Sequence, residues 1–67
     1  MSAKSLQASI DRFVRTVSVK AQGEIEKAVR KAIASGKLQG HETVNTEAAL
    51  SSEKIGLNVT IYGKIEL

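Results

Sequence analysis

The sequence contains no cysteine, no proline and no tryptophan, and it has one phenylalanine and one tyrosine among 67 residues. Without cysteine the chain has no disulfide framework, no thiolate nucleophile and no thiolate metal site. Small secreted domains usually depend on such cross-links, so this composition favours a reducing compartment, the cytoplasm. One tyrosine is too few to build an aromatic platform that stacks nucleic-acid bases.

The sequence also lacks a long apolar run. Residues 1–15 carry charges every few positions, which is typical neither of a signal peptide nor of a membrane span. A chain of this length buries only roughly 60% of the surface that its unfolded form exposes. We therefore expect one domain over residues 1–67 with a thin core, completed by oligomerisation, and no deep enzymatic cleft.

Two amphipathic patterns occupy the first half of the chain. The first predicts a helix over residues 4–18, through Leu6, Ile10, Phe13, Val14 and Val17. The second predicts a helix over residues 21–35, through Ile25, Ala28, Val29, Ala32 and Ile33. Val17 and Val19 weaken helix propensity between the two patterns, and Gly36 is suited to a C-terminal cap. We expect two helices joined by a short link.

After Gly40 the period of the apolar residues changes from that of a helix to that of a strand. Residues 57–66 alternate clearly and residues 42–50 more weakly, which predicts an antiparallel hairpin with the loop 51–56. Pairing Leu50 with Leu57 and Val44 with Gly63 puts the apolar residues of both strands on one face.

The predicted fold is therefore α+β, with two N-terminal helices packed on a C-terminal antiparallel β-hairpin in the order ααββ. A lone two-stranded hairpin is marginally stable, and both of its edges carry unpaired backbone groups. We expect a homodimer, in which either two hairpins pair edge to edge or the helices of two copies pack together. The sequence does not choose between these arrangements.

Few side chains support catalysis. His41, Asp11 and Tyr62 are each the only residue of their type, and they do not supply a nucleophile, a base and an orienting group. His41 beside Glu42 could form half of a metal site, but a histidine at the start of a strand is most often an exposed residue. We expect no catalytic residue, no metal, no cofactor and no small-molecule substrate.

Positive charge is concentrated in the first half of the chain. Residues 1–37 hold eight basic and three acidic residues, a formal charge of +5, whereas residues 38–67 hold two basic and four acidic residues, a formal charge of −2. Basic residues grouped along a helix bind nucleic-acid phosphates and release counterions. The candidate contacts for an anion or a nucleic acid are Lys20, Lys27, Arg30 and Lys31.

A solvated helix face explains the same charges. Glu26 with Arg30, and Glu24 with Lys27, have the spacing of ion pairs within one helix. The sequence offers neither the third helix of a winged helix nor a recognition helix rich in Asn, Gln and Arg. Binding to a membrane surface is disfavoured because the apolar face is needed for the core. Nucleic acid is therefore the second hypothesis, after a protein partner.

The segment from Glu24 to Gly36, together with Gly40 and the alternating tail that ends in GKIEL, resembles a family of small uncharacterised bacterial proteins of about this length. The resemblance implies a bacterial, cytoplasmic protein with two helices followed by a hairpin, and it implies no activity. We therefore expect a non-enzymatic interaction or assembly module that associates with itself, with weak sequence-independent nucleic-acid binding as the alternative.

Overall fold

The computed structural model describes residues 3–67, as one helix followed by one hairpin. Helix α1 spans Ala3–Ala34, strand β1 spans Thr43–Ser52 and strand β2 spans Leu57–Glu66. A short 3-10 turn, Glu53–Ile55, connects the two strands. The chain divides into two compact units, Met1–Lys37 and Leu38–Leu67, which are the helix with its cap and the hairpin with its preceding loop.

The prediction of two N-terminal helices is wrong, because α1 is one uninterrupted helix of 32 residues. The predicted link around Val19 and Lys20 is helical, as is Gly23. One glycine inside a helix costs only about 1 kcal/mol relative to alanine, and β-branched residues lower helix propensity slightly. Neither removes a backbone hydrogen bond as proline would, so the element order is αββ and not ααββ.

The cap predicted at Gly36 is confirmed. Gly36 has a φ of +84°, the left-handed conformation that glycine adopts without strain. The Lys37 N–H donates to the Ala32 carbonyl at 2.9 Å, and the Gly36 N–H donates to the Ile33 carbonyl at 3.1 Å. This pair of hydrogen bonds is the Schellman arrangement, which satisfies the last carbonyls of a helix.

The predicted strand register is wrong by two residues. β1 and β2 pair antiparallel with Leu50 opposite Val59 and Val44 opposite Ile65, whereas the prediction placed Leu57 opposite Leu50. Because a shift of two residues preserves the alternation of a strand, the apolar residues of both strands still lie on one face.

The connection between the strands causes this difference. β1 continues to Ser52, which pairs with Leu57, so four residues close the hairpin instead of six. The Gly56 N–H donates to the Glu53 carbonyl at 3.2 Å. Gly56 itself has a φ of +66°, which reverses the chain into β2.

No residue within 3–67 is buried. On α1, the side chains of Leu6, Ile10 and Val14 are 44–53% exposed, and on β2 those of Val59 and Ile61 are 42% and 53% exposed. Within each unit taken by itself, apolar side chains therefore remain in contact with water.

Candidate interaction surfaces

The first candidate surface is an apolar stripe that runs the length of α1. Its residues follow a repeated spacing of four, four and three positions, and all eight are apolar: Leu6, Ile10, Val14, Val17, Ala21, Ile25, Ala28 and Ala32. An 11-residue repeat gives about 3.67 residues per turn, close to the 3.6 of a straight helix. We call these eight residues the apolar stripe.

The sequence analysis missed the continuity of this stripe. Ala21 was assigned to the start of a second helix, although it lies 11 residues after Ile10 and 11 residues before Ala32. The 11-residue spacing is the signal that would have revealed one helix. Phe13, which is 57% exposed, borders the stripe on one side.

The second candidate surface contains three of the four predicted anion contacts. Successive helical residues turn by about 100°, so Lys20, Lys27 and Lys31 lie within a sector of roughly 40° on one flank of the stripe. Their Cα positions span about 16 Å along the axis. Arg30 lies on the adjacent, outer face of the helix. We call Lys20, Lys27 and Lys31 the basic line.

Acidic neighbours neutralise only part of this line. The Lys27 Nζ lies 3.5 Å from the Glu24 Oε2, as the spacing of these residues predicted, and both side chains are exposed. Glu26 and Arg30 make no ion pair among the described residues, although their spacing permits one. An exposed pair of this kind is worth at most about 1 kcal/mol, so it does not compete strongly with a phosphate.

Two further cations lie near Lys20, the N-terminal residue of the basic line, and were missed by the sequence analysis. Arg12, Arg15 and Lys20 border a shallow, open depression on the polar side of α1, together with Thr16 and Val19. Arg12 and Arg15 belong to the first amphipathic pattern, so the prediction of two helices separated them from Lys20. A continuous helix places them within about two turns of it.

The hairpin presents two further surfaces. In the described part of the chain the sheet has only the strands β1 and β2, so each strand has one unpaired edge. Glu47 pairs with Tyr62 and Asn45 with Lys64 on the face that does not carry the apolar residues, which makes that face polar. Tyr62 is 76% exposed there.

Glu42 is the most constrained ionisable group, and its role is structural. Its Oε1 accepts the N–H groups of Gln39, Gly40 and His41 at 2.9–3.1 Å, and its Oε2 accepts that of Gln39 at 2.8 Å. The Gln39 N–H has the largest influence and lowers the pKa of the Glu42 carboxyl from 4.5 to about 2. Desolvation, the second largest influence, opposes this shift, and the remaining backbone N–H groups act in the same direction as that of Gln39.

The backbone of Glu42 also connects the two ends of the hairpin unit, because its carbonyl accepts the Leu67 N–H at 3.0 Å. His41 lies at the solvent side of this loop, with its Nδ1 3.7 Å from the Glu42 Oε1 and a side chain 80% exposed. Because three backbone N–H groups already occupy the carboxylate, Glu42 is placed to fix the loop.

Two kinds of site are absent within residues 3–67. No group of three or more His, Cys, Asp or Glu side chains is placed to hold a metal ion. The described helix does not combine the length and the apolar character that crossing a membrane requires.

Comparison with known proteins gives one match. The model of one protein family, DUF6494, matches residues 1–67, and the function of this family is unknown. No curated protein and no solved structure matches the chain.

Proposed function

We propose that this chain, which belongs to the DUF6494 family because the match covers residues 1–67, is a non-enzymatic assembly module whose first partner is a second copy of itself. The proposal includes that the protein is bacterial and cytoplasmic, since the segment from Glu24 to Gly36 resembles small bacterial proteins and the sequence has no cysteine.

One observation carries the proposal: no side chain within residues 3–67 is buried. Burial of apolar surface is the dominant favourable term in folding, and a two-stranded hairpin or a single helix is marginal in water without a partner element. Exposed apolar side chains that a partner could cover include Leu6, Ile10 and Val14 on the helix and Val59 and Ile61 on the hairpin.

The experiment that tests self-association measures mass and stability together. Sedimentation equilibrium should give a mass of two or more times the 7.2 kDa chain mass. The midpoint of thermal unfolding should rise with protein concentration, because association then contributes to stability by mass action. A chain that stays monomeric and unfolds cooperatively at a midpoint independent of concentration would contradict the proposal.

A second candidate function is weak, sequence-independent binding of nucleic acid. The observation that favours it is the basic line on one continuous helix, with Arg12 and Arg15 bordering the same depression as Lys20. Lys20, Arg30 and Lys31 make no ion pair among the described residues, so their charges are available to phosphates. Binding of this kind depends steeply on salt and little on base sequence.

A further inference from the structure

We propose that Arg12 and Arg15 extend the phosphate contact of the basic line, so that a nucleic-acid backbone lies along the polar face of α1. We call Arg12 and Arg15 the arginine pair. This inference rests on the second candidate function, because it identifies the surface that a nucleic acid occupies. An anionic membrane surface is the competing partner.

The arginine pair lies in a segment without acidic residues. From Arg12 to Gly23 the sequence holds three basic residues and no aspartate or glutamate, a formal charge of +3. From Glu24 to Lys31 it holds three basic and two acidic residues, a formal charge of +1. The arginine pair therefore adds positive charge where no carboxylate of its own segment opposes it.

The carboxylates on either side of this segment contact other residues. Asp11 precedes Arg15 by four positions, a spacing that permits an ion pair, but the Asp11 Oδ1 accepts a hydrogen bond from the Gln7 Nε2 at 3.3 Å. Glu24 follows Lys20 by four positions, and its Oε2 contacts the middle lysine of the basic line instead. Within residues 3–67 neither arginine makes an ion pair, so both guanidinium groups are available to an anion.

The shape of the helix surface here permits a close approach. The long side chains of Arg12, Arg15 and Lys20 border the shallow depression, and the shorter side chains of Thr16 and Val19 lie between them. The Thr16 Oγ1 donates to the Arg12 carbonyl at 3.0 Å, so its hydrogen is not available to a phosphate. The contact is therefore made by the cations, and a guanidinium group can donate two parallel hydrogen bonds to one phosphate.

The position of the arginine pair on α1 favours a nucleic acid over a membrane. At 100° per residue, Arg12 lies roughly 170° and Arg15 roughly 130° around the helix from the middle of the apolar stripe. A helix that binds a lipid surface lies on it with its apolar face inserted. In that orientation the arginine pair would point away from the headgroups, whereas a nucleic acid can contact the polar face directly.

The length of the polar face favours a ligand with many phosphates. From Arg12 to Lys31 the helix rises about 28 Å, which corresponds to about eight base pairs of a duplex. A single phosphate contacts only one part of this face, whereas a nucleic-acid backbone presents charges along all of it. Contacts of this kind position a backbone and do not read the base sequence.

The first test removes the arginine pair. In the double variant Arg12→Gln, Arg15→Gln, the slope of log affinity against log salt should fall by about 2 for a duplex, since each lost phosphate contact lowers it by about 0.9. The control is Lys54→Gln, Lys64→Gln, which removes the same charge from the hairpin unit and should leave the slope unchanged. Fluorescence anisotropy with a labelled duplex measures both slopes.

The second test changes the charge at one exposed position in the depression. Val19 is 69% exposed, so its replacement disturbs no packed contact. Val19→Glu should lower the salt slope by about 1 and Val19→Lys should raise it by about 1, each compared with Val19→Gln. Circular dichroism of the three variants checks that α1 is equally helical in each.

The outcomes separate this inference from the function on which it rests. If substitutions in the basic line lower the slope but removal of the arginine pair does not, the inference is overturned and nucleic-acid binding remains. If Lys54→Gln, Lys64→Gln lowers the slope equally, binding follows net charge and the proposed surface is wrong. A wild-type chain that binds no oligonucleotide at low salt overturns both, and binding to phosphatidylglycerol vesicles in its place would make the partner a membrane.

Discussion

Thr46 on β1 and Gly63 on β2 lie directly opposite each other, on the face of the hairpin that carries the apolar residues. A Cβ atom added at Gly63 would meet no atom within 4 Å, and Gly63 has no positive φ. Gly63 therefore leaves a gap in the cross-strand pair with Thr46, and the backbone conformation at this position does not require glycine.

Gly63→Val should stabilise the chain by about 1 kcal/mol, because valine loses less backbone entropy than glycine and packs well on a pleated face. Urea unfolding at a fixed protein concentration measures the change. Gly56 offers the contrast, since its φ is +66°. Gly56→Ala should destabilise by about 1 kcal/mol, and equal effects of the two substitutions would contradict the turn and register described here.

Gly23→Ala should raise the helix content and stabilise α1 by up to about 1 kcal/mol. Gly23 lies inside the helix on the side away from the apolar stripe, and an added Cβ would meet nothing within 4 Å. Far-ultraviolet circular dichroism and thermal unfolding measure these changes, and the mass in solution should stay the same. Loss of helix signal in this variant would indicate a break at Gly23.

The loop before β1 should make the free energy of unfolding depend on pH in the acid range. The folded-state pKa of Glu42 is lowered from 4.5 to about 2, so the unfolded chain binds the proton more tightly. The stabilisation is therefore complete above the ordinary pKa of 4.5 and is lost as the pH falls towards about 2. Amide exchange of β1 and β2 across this range measures the loss.

Glu42→Gln should lower stability at neutral pH and flatten this part of the acid profile, because a neutral amide accepts backbone N–H groups more weakly than a carboxylate. Glu47→Gln is the matched control, since the Glu47 side chain accepts no hydrogen bond among the described residues. An unchanged acid slope in Glu42→Gln would show that the loop does not hold this carboxylate.

The basic line should dominate any binding of nucleic acid. Replacing Lys20, Lys27 or Lys31 singly with Gln should weaken binding to duplex and single-stranded oligonucleotides alike, and should reduce the salt slope by about 1 for each cation lost. Fluorescence anisotropy at about 50 and 200 mM salt measures both effects. Lys54→Gln, in the turn between the strands, should change neither, and no binding by the wild-type chain at low salt would exclude this function.

Much of the fold could be predicted from the sequence because periodicity acts locally. The alternation after Gly40 predicted the hairpin, and the glycine at position 36 predicted the end of the helix. The basic residues were also found from the sequence, since charge is a property of composition. Arg12 and Arg15 were missed because the predicted break separated them from Lys20.

The sequence by itself determined which residues are apolar, how they repeat and which strand faces they share, because these follow from the periods of a helix and a strand. Only the tertiary structure decided that Val19 and Lys20 continue α1 instead of linking two helices, and that Ser52 pairs with Leu57. Both outcomes depend on small differences: under about 1 kcal/mol for a β-branched residue in a helix, and the geometry of one turn that permits registers differing by two residues. The hydrogen bonds of the complete helix and the complete hairpin outweigh local preferences of that size.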